Sequence, residues 1–341
     1  ATALAFLPSD ARPEPRTDAT ALTKADWRSD LAFARAELPK RHANLWHTLG
    51  PAAYAAAFDG LDRDVDRLQE HEIVVRLAEI VASVGDGHSR LTLPMDPAAG
   101  FFSGHSGTDA AQVAAFRHLP LRLVRTGDGC VVTQAAAGLE DLLGARLAGI
   151  DGRDVAAVES ALSPVVNRDN DHQLHDLMPM FMVVPEVLHA RGISLSPLAS
   201  RWKFTDAAGR DREVTLEPVA QGTTVAWQRL PAPAWPRTGS GPRDGNLWFA
   251  DISEPAAVYA RIAEIADAPS RTFADFAHEL GAHLATTRHR RLIIDLRGNP
   301  GGDPTTAEAL AAKFLAGEVS FGSFTLRDGS IPRQVTGKNT Y

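Results

Sequence analysis

"RRLIIDLRGNPGG", residues 290–302, is the stretch that decides how this chain is read. The apolar run Leu292-Ile293-Ile294 reads as a buried strand. Asp295 and Arg297 follow it, then the rigid turn Asn299-Pro300-Gly301-Gly302. The next segment, "DPTTAEALAAKFL", predicts a helix with Asp303 as its cap and Pro304 at its first position. Strand, glycine-rich turn and helix in that order imply an α/β layer. At such a junction the N–H groups of the helix amino terminus are unpaired, and the helix dipole favours negative charge. Glycine there lets a ligand approach the backbone. Two anions fit, a phosphate or the oxyanion of a tetrahedral intermediate. No GxxxxGK[ST] or GxGxxG accompanies the turn, which argues against phosphate. A tight turn that needs glycine for positive φ would give the same residues without any chemistry.

Outward from this stretch, "NLWFADIS" predicts a strand. "TFADFAHELGAHLATT" predicts a helix with Phe273, Phe276, Ala277, Leu280 and Leu284 on one face. Basic residues at 288–291 suit its carboxyl end. A proline- and glycine-rich linker, "LPAPAWPRTGSGPRDG", precedes this region. Between about 118 and 222, "LPLRLVR", "GCVVTQA" and "ARLAGIDGRDV" are short strands punctuated by Gly-Asp and Asp-Gly turns. "VAAVESALSPVV" and "LHDLMPMFMVVPEVLHARG" predict helices, the "MPMFMVV" run being a core face or, as the alternative, the lining of a groove for apolar ligands. "SRWKFTDAAGRDREVTLEP" predicts a hairpin turning at 207–211. A glycine-, alanine- and serine-rich connector lies at about 95–117. Before it the chain is helical from Thr23, where "TKAD" has a capping-box pattern. In "HEIVVRLAEIVASV", Ile73, Val74, Leu77, Ile80, Val81 and Val84 recur at helical spacing. That helix ends in "GDGHSRLTLP", a turn and short strand. The first ten to twenty residues read as a loose arm.

Across its 341 residues the chain is 44% hydrophobic and 23% charged with a net charge of −7, ordinary for a globular protein and without the basic face nucleic acid requires. No run reaches the roughly 20 apolar residues that span a bilayer. One cysteine, Cys130, cannot form an internal disulfide. There is no GxSxG elbow. "HELGAH" places His278 and His283 about 140° apart on a helix, so they cannot share a metal as an i, i+4 pair does. "DNDHQLHD", 169–176, offers two histidines three apart, and reads as a polar helix start rather than a metal site.

The second decisive stretch is "VGDGHSRL", 84–91. It presents His88 between a helix and a strand, flanked by glycines and Asp86, where loops carry function. "DGHSRL" and "IIDLRGNPGG", in that order and separated by a PDZ-sized insert, resemble the C-terminal processing (tail-specific) serine peptidases. The resemblance is to the histidine-using branch with the tricorn core and the interphotoreceptor retinoid-binding modules. "HANLWHTLG" is also similar to the N-terminal part of such proteins. The resemblance implies a multi-domain α/β architecture. Residues 1–98 would be a helical region carrying the histidine, 118–222 a PDZ-like α+β domain, and 245–341 the first part of a crotonase-like (ClpP-like) α/β catalytic core. It implies His88 as general base, Gly301 and Gly302 as oxyanion-hole backbone, and Asp295, Arg297 and Asn299 as holders of the turn. The family's nucleophile sits in a Ser-Ala-rich motif beyond the Gly-Gly turn. Ser320, Ser323 and Ser330 lack that context. The expectation is therefore that the nucleophile and the acid orienting His88 lie beyond residue 341, and that this fragment is inactive by itself.

The implied reaction is hydrolysis of protein or peptide substrates through an acyl-enzyme, with no metal or organic cofactor. The alternative is a non-catalytic protein binding hydrophobic ligands on the same scaffold. A thioester enzyme using the same oxyanion turn is a third class, against which the PDZ-like insert counts. No nucleic-acid partner is expected, and an oligomer is compatible with the sequence. The family and the non-Met start lean toward a periplasmic or secreted location, although "ATALAFLP" lacks a leader's basic and apolar segments.

Overall fold

The structure, a computed structural model, describes residues 22–96, 116–231, 246–267, 271–302, 304–311, 319–324 and 333–337. The loose arm, most of the 95–117 connector, most of the linker, the Asp303 cap and Ser330 lie outside the described residues. The chain forms two units, Thr2–Leu230 and Pro231–Tyr341, each mixing helix and sheet.

The first unit opens with α1 (Lys24–Arg41), α2 (Pro51–Asp64) and α3 (Glu70–Ala82). Thr23 caps α1: its Oγ1 accepts the Asp26 N–H at 3.2 Å, and the Asp26 carboxylate accepts the Thr23 N–H at 2.8 Å. Both orphan donors are satisfied reciprocally, as the "TKAD" pattern requires. α3 buries Ile73, Val74, Val75, Ala78, Ile80 and Val81, and Val84 lies buried just beyond it; Leu77 is half-buried at the stripe's edge. The helix stops at Gly85, whose φ of +77° is left-handed and whose N–H returns to the Ala82 carbonyl. A Cβ at Gly85 would sit 2.7 Å from Thr48 Oγ1, so the position also needs the space.

Then follow β1 (Leu121–Thr126), β2 (Gly129–Ala135), β3 (Arg146–Ile150), β4 (Arg153–Asp154), α4 (Val155–Leu162), α5 (Asp171–Met182), α6 (Pro185–Ala190), β5 (Ser200–Thr205), β6 (Asp211–Leu216) and β7 (Gln228–Arg229). The sheet is antiparallel in the order β1-β2-β3-β5-β6, with β4 on β3 and β7 on β2. β5 and β6 pair from Ser200↔Leu216 to Thr205↔Asp211, and the Asp206 carboxylate closes their turn by accepting the Ala208 and Arg210 N–H groups. The methionine-rich helix divides at Val183–Val184, where Pro185 starts α6, and Met178, Met182, Val183 and Val184 are all buried. One continuous apolar cluster runs from Trp27, Phe58 and Ile73 through Leu121 and Val132 to Trp202 and Phe204. Helices and sheet thus share a core. Trp202, fully buried, keeps its indole N–H satisfied by Ser200 Oγ at 2.9 Å.

The second unit holds β8 (Leu247–Ser253), β9 (Ala256–Ile262), α7 (Phe273–Thr286), β10 (Leu292–Asp295) and α8 (Pro304–Ala311), with β11 (Val319–Phe324) and β12 (Arg333–Gly337) as a separate antiparallel pair. The three-stranded sheet runs β10-β9-β8, with β9 antiparallel to β8 and parallel to β10. A parallel neighbour needs a crossover, and the segment carrying α7 supplies it. α7 buries Phe273, Phe276, Ala277 and Leu280 in one cluster with Val258, Ala260 and Ile262 of β9. Each buried phenylalanine contributes about 1.5–3 kcal/mol by area. On the other face Ala257 and Tyr259 pack with Ile252, Trp248 and Ile293. β9 is buried on both faces, and its sequence, "AAVYARI", shows no polar alternation, which is why no strand is expected there from sequence. Among the described residues no helix is long and apolar enough to cross a membrane.

Candidate active site

The His88 turn grows out of the end of α3. Asp86 folds it: the carboxylate Oδ1 accepts the His88 N–H at 2.7 Å, and the Asp86 carbonyl accepts the Ser89 N–H at 3.2 Å. Ser89 Oγ donates to Asp86 Oδ2 at 2.9 Å. His42 Nε2 lies 2.9 Å from Ser89 Oγ and 3.3 Å from Asp86 Oδ2. Partial burial alone would raise the Asp86 carboxyl, but the donors from His88, Ser89 and His42 outweigh it and hold the group below its ordinary value. His47 stacks nearly parallel to His42 and contacts the Asn44 and Gly85 carbonyls at 2.8 and 3.3 Å. Gly87 is clamped from elsewhere in the unit. Its N–H donates to Asp169 Oδ1 at 2.7 Å, and its carbonyl accepts from Asn167 Nδ2 at 2.5 Å. A Cβ at Gly87 would lie 2.6 Å from both Asp169 Oδ2 and Gln173 Oε1. The result is a tied-down backbone that presents an open ring: the His88 side chain is 74% exposed, with Nδ1 4.0 Å from Asp86 Oδ1.

The turn after β10 belongs to the second unit. Asp295, 7% exposed, accepts from the Arg297 N–H at 3.0 Å and from its guanidinium at 2.9 and 2.7 Å, and also from Tyr259 Oη. The Arg297 guanidinium holds the Asp295 carboxyl well below the usual carboxylate range, against its burial. Burial, and the bond to Asp295, push the Tyr259 phenol up. A buried carboxylate is tolerable only when paired and hydrogen-bonded in this way. Asn299 ties the next step: its Nδ2 donates to the Ile262 carbonyl at 2.9 Å and its Oδ1 accepts the Gly301 N–H at 2.7 Å. Gly298, Gly301 and Gly302 have φ of +67°, +104° and +148°. At Gly302 a Cβ would overlap the Ile265 carbonyl, so close approach as well as dihedral demands glycine. The two expected oxyanion donors differ. The Gly301 N–H is already engaged by Asn299, whereas Gly302 is exposed and its N–H has no partner among the described residues.

The other candidates resolve plainly. Asn170 caps α5 by accepting the Gln173 N–H at 3.0 Å, as a polar helix start should. His283 pairs with Asp251 at 2.8 Å, with His289 3.7 Å from the same oxygen. No group of three or more His, Cys, Asp or Glu suited to a metal occurs among the described residues.

No protein-family model and no curated protein matches the chain. Solved structures of CPAF, a chlamydial serine protease, do match in three dimensions. Mature CPAF superposes with a TM-score of 0.54 at 16% identity, covering 89% of this chain and 61% of that one. The fold is CPAF-like. CPAF complexed with lactacystin gives 0.56 at 16% identity, and a serine-to-alanine mutant of CPAF gives 0.56 at 14%, each covering 89% of this chain and 62% of that one. The chain thus spans about three fifths of the CPAF chains it matches. At such identities the likeness to CPAF is one of fold.

Sequence reasoning misses the roles of His42, Asn167 and Asp169. Asp169 reaches Gly87 across 82 positions and Asn167 across 80, separations no local pattern reveals. "HANLWHTLG" does carry a signal, two histidines five residues apart, but not which of them meets Asp86.

Proposed function

We propose that this chain supplies the base and the oxyanion donor of a serine endopeptidase acting on protein or peptide substrates. The observation that carries the reading is the His88 turn, whose backbone is tied to Asp86, Asn167 and Asp169 while the imidazole stays exposed. In this reaction His88 takes the proton of a nucleophilic serine as that oxygen attacks the scissile carbonyl. It returns the proton to the departing amine, leaving an acyl-enzyme that water hydrolyses by the same route. The negative charge of each tetrahedral intermediate is met by the Gly302 N–H, while Gly301 and Asn299 shape the turn that aims it. The CPAF-like fold supports the reading, and mature CPAF has been solved in complex with lactacystin. In this proposal residues 118–222 act as a PDZ-like module that captures an extended peptide by strand addition. Residues 245–341 form part of a crotonase-like core, and the site of action is periplasmic or extracellular. The test is labelling of the full-length protein by a fluorophosphonate probe. Covalent labelling that falls sharply in His88→Ala is expected; an intact, folded protein that takes up no probe would overturn the proposal.

A further inference from the structure

We propose that Asp86 is the carboxylate that orients His88, with His42 and Ser89 holding Asp86 in place. This assigns the orienting acid to the His88 turn itself instead of to residues beyond 341. Its catalytic meaning rests on the peptidase reading; its geometry does not. Asp86 Oδ1 already accepts the His88 backbone N–H at 2.7 Å, and that oxygen has a second lone pair. The Nδ1 of the same histidine is 4.0 Å from it, just outside hydrogen-bond range, on an exposed ring with room to turn. In this proposal a rotation of the exposed His88 side chain closes that gap.

The other carboxylate oxygen is occupied. Oδ2 accepts from Ser89 Oγ at 2.9 Å and faces His42 Nε2 at 3.3 Å. The protonation of His42 follows from its opposite nitrogen. The Asn44 N–H donates to His42 Nδ1 at 3.1 Å, so Nδ1 offers a lone pair and the neutral ring carries its proton on Nε2. His42 is therefore a donor toward Asp86 and Ser89, and cannot serve as the base for Ser89. His47 bonds to the backbone carbonyls of Asn44 and Gly85, and Asp169 is turned to the Gly87 N–H. The donors around Asp86 converge on it, leaving one acceptor site on the side of His88. An Nδ1–H bound there fixes the tautomer with Nε2 free, which is the form a general base needs.

The experiment is long-range proton–nitrogen correlation NMR of the ¹⁵N-labelled protein in mildly alkaline solution, with the His88 signals identified by their loss in His88→Gln. Wild type is expected to show His88 mainly as the Nδ1–H tautomer, the reverse of the preference of free imidazole. Asp86→Asn keeps an oxygen for the His88 N–H, so the turn persists, and the tautomer ratio should shift several-fold toward Nε2–H. Ser89→Ala, which removes one support of Oδ2, should shift it in the same direction by less. A wild-type ratio favouring Nε2–H overturns the proposal. So does a folded Asp86→Asn protein with an unchanged ratio; if that variant does not fold, the wild-type ratio and Ser89→Ala decide. A protein with the expected tautomer that takes up no fluorophosphonate would defeat the peptidase reading and leave the role of Asp86 standing.

Discussion

At Gly302 the backbone and the Ile265 carbonyl leave no room for a methyl group. Gly302→Ala should therefore destabilise the second unit by several kcal/mol, or prevent its folding. At Gly301 nothing lies within 4 Å of where a Cβ would stand, so Gly301→Ala carries only the dihedral strain, about 1–3 kcal/mol. Thermal melts of the two variants should separate clearly. Asp295 offers a pH test. Its carboxyl, paired first of all with Arg297, titrates below the ordinary value in the folded state. The unfolded chain then binds the proton more readily, so the stabilisation is complete above an unfolded carboxylate value of about 3.9 and is lost as pH falls from there through the folded value. Asp295→Asn should cost about 2–3 kcal/mol near neutrality, discounted because Arg297 is largely solvated. In chemical denaturation the gap from wild type should narrow in strong acid; a gap that widens there would contradict the assignment. The glycines at 301 and 302 are legible in sequence as a special turn. Which of them keeps an open N–H depends on Asn299, whose side-chain direction no sequence pattern gives.

Among the elements, α3 and α7 are readable from their apolar stripes and α1 from its capping pattern, all of them local signals. Thr23 and Thr272 both form reciprocal caps with an aspartate three residues on. β9 is not readable, since a strand covered on both faces loses the period-two alternation that marks strands. α7 supports it, and Phe276→Ala should cost about 3–5 kcal/mol in an unfolding titration. α3 and α6 meet through His71 and His189, whose Nε2 and Nδ1 are 2.8 Å apart. Burial first, and the neighbouring imidazole second, hold His71 below its usual value, with Glu72 and Glu186 opposing and Arg117 reinforcing. The unfolded chain takes up that proton more readily, so the contribution of His71 is present above about pH 6.5 and lost as pH falls below it. Replacing His71 with Gln should flatten the decline in melting temperature between neutral and mildly acidic pH. An unaltered decline would show that other groups set it.

Across the whole molecule, sequence signals identify mixed helix and sheet and the two turns that bear the proposed chemistry. The contacts that tie down the His88 turn are hidden from sequence, because Asn167 and Asp169 arrive from beyond four intervening strands, β1 to β4. Fold likeness to CPAF at 14–16% identity carries the architecture and leaves the chemistry to be measured. The most direct measurement is hydrolysis of an unfolded protein substrate by the full-length protein, compared with a His88→Ala variant shown by its melt to be folded. Loss of a general base should lower kcat by about 10²- to 10⁴-fold. A folded His88→Ala protein that cleaves at the wild-type rate would contradict the account.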